Sequence, residues 1–395
     1  MWCGSTASNC SGNRQLKVVC YFSNWAWYRS NEGQFLPENI DPNLCTHLIY
    51  AFATLDSSSL TLGVCDSWAD IDNNFYKRVV QLKNKNPQLR VLLALGGWND
   101  SGADKYSRLV SSPKSRRNFI QHVVPFLKKY NFDGLDLDWE YPVCWQGRRS
   151  SGHTTDRPNF ANFVLELRQA FDQEQSPLLL TAAVSGTKCI IDDAYEVSTL
   201  SADLDFINIM AYDYHGSWEN HTGHVAPLYP QDGDPNTDFN AKSSLEYWVE
   251  KGAPKHKLVL GTPFYGRSFT LSDPNNNGIR APVIGGGIAG PLTKEVGMLA
   301  YYEVCKKIKL EAWTKVRDPS QAIGPYAYRG DQWVGYDDPA SLSRKARFVR
   351  EEGYGGVMVW TVDFDDFRGM WNKVAFPLLR ALHFGLFGTG DPPEK

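Results

Sequence analysis

"FDGLDLDWEYP", residues 132–142, reads as a buried β-strand that carries acids. Asp136, Asp138 and Glu140 alternate with Leu135, Leu137 and Trp139. Successive side chains of a strand point to opposite faces, so the acids share one face and the apolar residues the other. Lining up carboxylates at low dielectric costs free energy, because like charges repel and each group loses water. A solvated edge does not account for the stretch, since Phe132, Leu135, Leu137 and Trp139 mark a central strand. A cation site fits poorly as well, because one rigid strand cannot encircle an ion. Stacked acids push their pKa values apart, and the last of them, Glu140, can then hold a proton near neutral pH and deliver it as a general acid. Asp133 opens the stretch and reads as structural.

Outward from this strand, short β-branched or Leu-rich runs recur at 16–22, 46–53, 89–95, 132–139, 178–184, 204–211, 257–263 and 355–361. Helical patterns separate most of them, at 70–84, 112–130, 158–175, 240–252, 339–352 and 374–384, the third opening after Arg157-Pro158. Eight such strands predict an α/β fold, a (β/α)8 TIM barrel, with a doubly wound sheet as the alternative. About ninety residues separate strands seven and eight, too many for one βα unit. They predict a small α+β insertion, at about 266–338, that walls a cleft on the active face. In such barrels the catalytic groups sit at the C-terminal strand ends, which puts Glu140 last and most accessible.

The 395 residues carry a net charge of -3, which leaves no electrostatic footprint for nucleic acid. The apolar runs are too short to span a membrane. There are 13 Trp, 19 Tyr and 20 Phe; most belong in the core, but Trp25, Trp98 and Trp218 have polar or Gly neighbours and sit where loops begin. Flat exposed aromatics suit sugar rings. Eight Cys without a CxxC pair, and sequons at Asn9, Asn99 and Asn220, favour a secreted, oxidised protein over a zinc protein. Residues 1–15 read as an N-terminal segment without a signal-peptide pattern, and the Gly/Pro-rich 387–395 as the start of a linker.

Taken with "GGW" (96–98), "MAYDYHG" (210–216), "PFYGRSF" (263–269) and "VMVWTVDFDD" (357–366), the acidic strand resembles the DxxDxDxE signature and ordered blocks of family 18 glycoside hydrolases, the chitinases. The stretches "DSWADIDNNFY", "GGWNDS" and "DWEYPVCWQ" are most similar to arthropod multidomain members. The resemblance covers 16–386 and implies a catalytic barrel that hydrolyses chitin and chito-oligosaccharides as a monomer, without cofactor or metal. It implies Glu140 as the acid that protonates the glycosidic oxygen while the substrate's own N-acetyl carbonyl attacks the anomeric carbon, an exception to the two-carboxylate scheme. Asp138 would orient the acetamido N–H, Asp136 would hold Asp138 or share its proton, and Tyr212 would bond the acetamido oxygen. Asp213 and Met210 would line that pocket over a Trp360 floor. Trp98 and Trp218 would serve the aglycon side and Trp25 the glycon side, with Tyr265, Arg267, Tyr21 and Tyr141 as further substrate contacts.

Each of these residues also has a plain structural reading. Trp360, Tyr212 and Met210 could be core, Asp213 and His215 could cap a loop, and Tyr265 and Arg267 could pack a hinge. The resemblance also implies a Cys20–Cys45 disulfide. Cys305 has no counterpart in "RGMWNKVAFP", and two of Cys65, Cys144 and Cys189 could pair. Two other functions share the barrel: a chitin-binding lectin without catalysis, in which the acid would be replaced, and an endo-β-N-acetylglucosaminidase acting on N-glycans.

Overall fold

The computed structural model describes residues 16–231 and 233–389. The expected N-terminal segment 1–15, with Cys3, Cys10 and the Asn9 sequon, lies outside them, as does 390–395 of the expected linker.

Eight parallel strands form the centre: β1 (Lys17–Ser23), β2 (His47–Leu55), β3 (Arg90–Gly96), β4 (Gly134–Asp138), β5 (Leu179–Ser185), β6 (Phe206–Met210), β7 (Leu258–Pro263) and β8 (Gly356–Trp360). Each pairs with its sequence neighbour, and β1 pairs with both β2 and β8, so the sheet closes into a barrel. The short strand Leu62–Val64 adds to β2 antiparallel. Inside the barrel Val19, Tyr21, Ile49, Ala51, Leu92, Ala94, Phe206, Val259 and Met358 pack together, with Phe52, Met210, Tyr212 and Trp360 above them. Outward-facing strand residues join the helices in a second, larger core. Burial on both faces is why these strands read as nearly continuous apolar runs.

The helix Pro339–Glu352 matches its predicted span. Asp338 caps it by accepting from Ser341 N–H at 3.0 Å, and Gly353 ends it at φ 77°. The predicted helix at 70–84 is instead three pieces: a π turn (Trp68–Asp72), a short α-helix (Phe75–Val80) and a 3-10 turn (Gln81–Asn84). Asn74 is left-handed at φ 58°, and Asp70 is drawn inward to Tyr50 and Asn24, which interrupts the helix. The helix expected at 158–175 starts at Asp156, with Pro158 in its first turn, where a missing N–H costs nothing. The helices Lys105–Val110, Lys188–Ala194 and Val197–Asp203 were not expected, because so few residues carry little periodicity. The last helix, Pro377–Phe387, reaches the first residue of the expected linker.

Between β7 and β8 stands a six-stranded antiparallel sheet with the helix Tyr301–Leu310 against it. Its first strand, Tyr265–Leu271, leaves directly from the end of β7, so the sheet rises beside the C-terminal mouth of the barrel. Cys20 and Cys45 are disulfide-bonded with Cα atoms 6.0 Å apart, whereas Cys65, Cys144, Cys189 and Cys305 are free thiols.

Candidate active site

Asp136 and Asp138 climb the inner face of β4, and Glu140 stands just beyond its end. They are 0%, 3% and 9% exposed. Asp136 accepts hydrogen bonds from Tyr21 Oη at 2.6 Å and Thr181 Oγ1 at 2.5 Å, and Asn208 Nδ2 is 3.5 Å away. Both of its oxygens are therefore engaged by hydroxyl or amide groups. Asp138 Oδ1, by contrast, has no hydrogen-bond partner. Burial pushes the Asp136 carboxyl up to about 6, against the pull of those donors. Burial, then the charges of Glu140 and Asp136, raise Asp138. Glu140 is raised chiefly by burial, opposed by Tyr141 and reinforced by Asp213. The outer face of β4 is apolar as expected: Trp139 stacks on Tyr106 at 5.6 Å. Asp133 lies at the opposite barrel end, accepting from Val91 N–H at 2.7 Å and from Lys83 Nζ at 3.1 Å.

The "GGW" block explains how β3 approaches so closely. A Cβ at Gly96, where φ is 121°, would fall 2.2 Å from Asp138 O, and one at Gly97 would fall 2.7 Å from the Phe52 ring. Gly97 N–H donates to Asp138 O at 2.7 Å. Ser101 then locks the acid: its Oγ accepts from Glu140 N–H at 2.9 Å and donates to Gly97 O at 2.9 Å. Cis peptide bonds at Ala51–Phe52, Glu140–Tyr141 and Trp360–Thr361 lie around this mouth.

One wall comes from β6 and the insertion. Arg267 clamps Asp213 in two hydrogen bonds of 2.7 and 2.8 Å. Tyr265 stands beside them, 6.3 Å from the Tyr212 ring. Tyr212 feels the charges of Asp138, Glu140 and Asp213 in addition to burial, and its phenol is held well above its ordinary value. Met210 and Tyr212 are partly buried at the top of the barrel core. The floor is Trp360, 5.7 Å from Phe52 and 5.4 Å from Tyr21. Trp25 follows β1 and stacks on Phe52 at 6.0 Å. Trp25, Trp98 and Trp218 are 41%, 49% and 58% exposed.

Two of the residues read as substrate contacts are buried. Tyr21 is buried beneath Trp360, and its hydroxyl serves Asp136. Tyr265 is buried too and backs the Asp213–Arg267 pair. Tyr141 remains half-buried beside Glu140. Asn99 and Asn220 are exposed, but their sequon hydroxyls are not: Ser101 holds Glu140, and Thr222 Oγ1 donates to Gly278 O at 2.8 Å. Sequence reasoning missed Phe52, Ser101, Thr181 and Asn208. Asn208 was within reach, since the alternation that turns Met210 inward turns Asn208 inward as well. Among the described residues no group of three or more His, Cys, Asp or Glu side chains is arranged to hold a metal.

Residues 17–365 match the family described as Glycosyl hydrolases family 18. The chain is 49% identical over 381 residues to the "Probable chitinase 10" of Drosophila melanogaster, covering 96% of this chain but only 16% of that protein. The Group II chitinase catalytic domain 2 of Ostrinia furnacalis, solved with the chito-oligosaccharide (NAG)5, superposes with a TM-score of 0.93 at 48% identity, covering 96% of this chain and 98% of that one. Human YKL-39, described as a pseudo-chitinase that retains chitooligosaccharide binding, superposes with a TM-score of 0.85 at 40% identity, over 95% of this chain and 100% of that one.

Proposed function

Since this chain belongs to glycosyl hydrolases family 18 and has the chitinase-type barrel, we propose that it hydrolyses β-1,4 linkages between N-acetylglucosamine units of chitin. The observation that carries this is Glu140: a buried carboxyl at the mouth of the barrel, raised toward its protonated form by burial, on a stretch of main chain whose Glu140 N–H donates to Ser101. A carboxyl that stays protonated near neutral pH is a competent proton donor to a leaving oxygen. In this reading the substrate's acetamido oxygen closes on the anomeric carbon as Glu140 gives its proton to the departing sugar. Asp138, whose Oδ1 is unpartnered, accepts the acetamido N–H. Tyr212 steadies the acetamido oxygen, and Asp136, fastened by Tyr21 and Thr181, supports Asp138 electrostatically. Glu140, now a carboxylate, takes a proton from the water that opens the cyclic intermediate. The Cys20–Cys45 disulfide supports work outside the cytosol.

The lectin reading has a specific relative behind it, the pseudo-chitinase above. The presence of Glu140, Asp138 and Asp136 favours the hydrolase. Chitohexaose decides: wild-type protein releases products that are β-anomers first, since two inversions occur at the anomeric carbon. Glu140→Gln binds the hexamer but loses at least about a hundredfold in kcat, as expected for a general acid. Turnover of fully deacetylated hexamer, α-anomers first, or wild-type rates from Glu140→Gln would refute this mechanism. Cleavage of a high-mannose glycoprotein in place of chitin would give the endoglycosidase reading.

A further inference from the structure

The loop after β4 ties the acid to one of the exposed tryptophans. "EYPVCWQG", residues 140–147, turns back on itself: Cys144 N–H donates to Tyr141 O at 3.1 Å, and Gln146 N–H returns to Glu140 O at 2.7 Å. Glu140 thus has both of its main-chain groups engaged, the N–H by Ser101 Oγ and the carbonyl by Gln146. Closing the turn puts Gln146 in the left-handed region at φ 49°, an uncommon setting for a residue with a side chain. Such a conformation persists only where its surroundings hold it, and it marks a position to ask about function.

From that position the Gln146 side chain crosses to the loop after β3. Its Nε2 donates to Trp98 O at 3.0 Å, and Ser101 N–H shares the same carbonyl at 3.3 Å. A carbonyl only accepts, so the amide nitrogen, and not the amide oxygen, must face it. The amide packs on Gly102, where a Cβ would fall 3.1 Å from Nε2. The next residue, Gly147, lies beside the indole itself: a Cβ there would stand 3.5 Å from Trp98 Cη2. Trp98 is half-exposed, so burial does not fix its indole, and its setting depends on how its main chain is held. One residue therefore grips both ends of a short span, Glu140 O through its own N–H and Trp98 O through its side chain.

We propose that Gln146 is a positioning residue: its amide holds Trp98 at a fixed reach from Glu140, so that a sugar stacked on the indole brings its glycosidic oxygen to the acid. This rests on the reading of Trp98 as a sugar platform on the aglycon side. Removing the amide leaves the bond to Glu140 O, which is made by the main chain, and abolishes the bond to Trp98 O. The loss is therefore felt through the platform and not through the carboxyl.

The test is a double-mutant cycle on chitohexaose affinity, measured by titration calorimetry in the Glu140→Gln background so that nothing is cleaved. Gln146→Glu keeps the length of the side chain and turns carboxylate oxygens toward Trp98 O. Trp98→Ala is expected to raise Kd about tenfold and Gln146→Glu about fivefold, as for one lost ring contact and one lost hydrogen bond. Combined, they are expected to cost no more than Trp98→Ala alone, because residues that act through one another do not add. Gln146→Gly suits the left-handed backbone, adds no charge, and gives the same coupled loss should Gln146→Glu fold poorly. With Glu140 intact, Gln146→Gly is expected to lower kcat/KM for the hexamer without moving the alkaline limb of its pH profile, which reports the acid. Full affinity in the Gln146 variants, additive losses in the double variant, or a shifted limb would overturn the proposal. Full affinity in Trp98→Ala would overturn the platform reading and the proposal with it. A wild type without turnover would count against the hydrolase reading, while the cycle, which needs no cleavage, still decides on Gln146.

Discussion

Glu140 shows what one residue's position does to its chemistry. In water its carboxyl would be ionised at neutral pH; here burial raises it, and Ser101 fixes the main chain that carries it by accepting from the Glu140 N–H. The same burial that makes a proton donor also carries a stability cost. When an acid's folded-state pKa lies above its unfolded one, the native state holds more protons than the unfolded chain between the two values. Stability from Asp136, raised to about 6, and from Asp365, raised to about 7 by burial, is complete below the unfolded pKa and is lost as pH climbs through those values. Glu140 contributes with the same sign. The contribution of these carboxyls to the melting temperature should therefore fall from about pH 4 upward through neutrality, starting from the unfolded carboxyl range. His47 and His224, lowered by burial to about 3 and about 4, act in the opposite direction, so the share of one acid is read from its variant. Glu140→Gln cannot ionise, so its melting temperature should exceed the wild type's at pH 8 and converge with it at pH 4. Calorimetry of both proteins across that range checks this; a variant less stable at pH 8 would mean the acid is not held against its preference. Asp136, Asp138 and Glu140 were legible in the sequence because strand alternation places them together. Ser101, a hydroxyl thirty-nine positions away in sequence, was not.

The insertion shows how elements are joined. Its length was readable from the spacing between β7 and β8, but its fastening to the barrel was not. Lys345, on the helix Pro339–Glu352, is buried with Asp337, with Nζ 2.5 Å from Oδ2, and also donates to Ala226 O at 2.6 Å in the loop after β6. His224 adds a bond to Tyr336 O at 2.9 Å, so the last insertion strand, the helix and the β6 loop meet at one polar knot. Breaking a buried pair from one side leaves an uncompensated charge, which costs about 3–5 kcal/mol. Lys345→Met should lose that much in urea denaturation, and the double replacement Lys345→Met/Asp337→Leu should recover part of it. Equal loss in single and double variants would show that packing, and not charge, holds the joint. In sequence Lys345 is one cation of a predicted helix, where the default expectation is solvent exposure.

At the scale of the whole molecule three of the exposed tryptophans stand around one opening although they come from distant parts of the chain. Trp25 follows β1, Trp98 follows β3 and Trp218 lies in the loop after β6. Each indole that covers a sugar's apolar face contributes on the order of 1–3 kcal/mol, by analogy with other large buried side chains. Drawing a chain from crystalline chitin breaks many interchain hydrogen bonds at once, so several platforms must act together, whereas a soluble dimer needs few. Trp25→Ala and Trp218→Ala should thus reduce hydrolysis of insoluble chitin by about tenfold or more, the effect of losing one such contact, and leave a short soluble substrate nearly unaffected. Equal losses on both, with a lowered melting temperature, would mean that these residues pack and do not bind.

The sequence by itself determined eight strands alternating with helices, the acidic strand and the presence of an insertion, while closure into a barrel rests on the pairing of β1 with β8. The former follow from periodicity and spacing, which are local and survive in one dimension. Tertiary structure alone decided the rest. It made Tyr21 the buried donor to Asp136, set Phe52 between Trp25 and Trp360, and placed Glu219 and Asp234 on either side of His215. Those assignments depend on which side chains meet across the closed barrel and its loops. Barrel closure brings β1 against β8 and β4 against β5, and no local pattern encodes which hydroxyl, amide or ring then faces which acid.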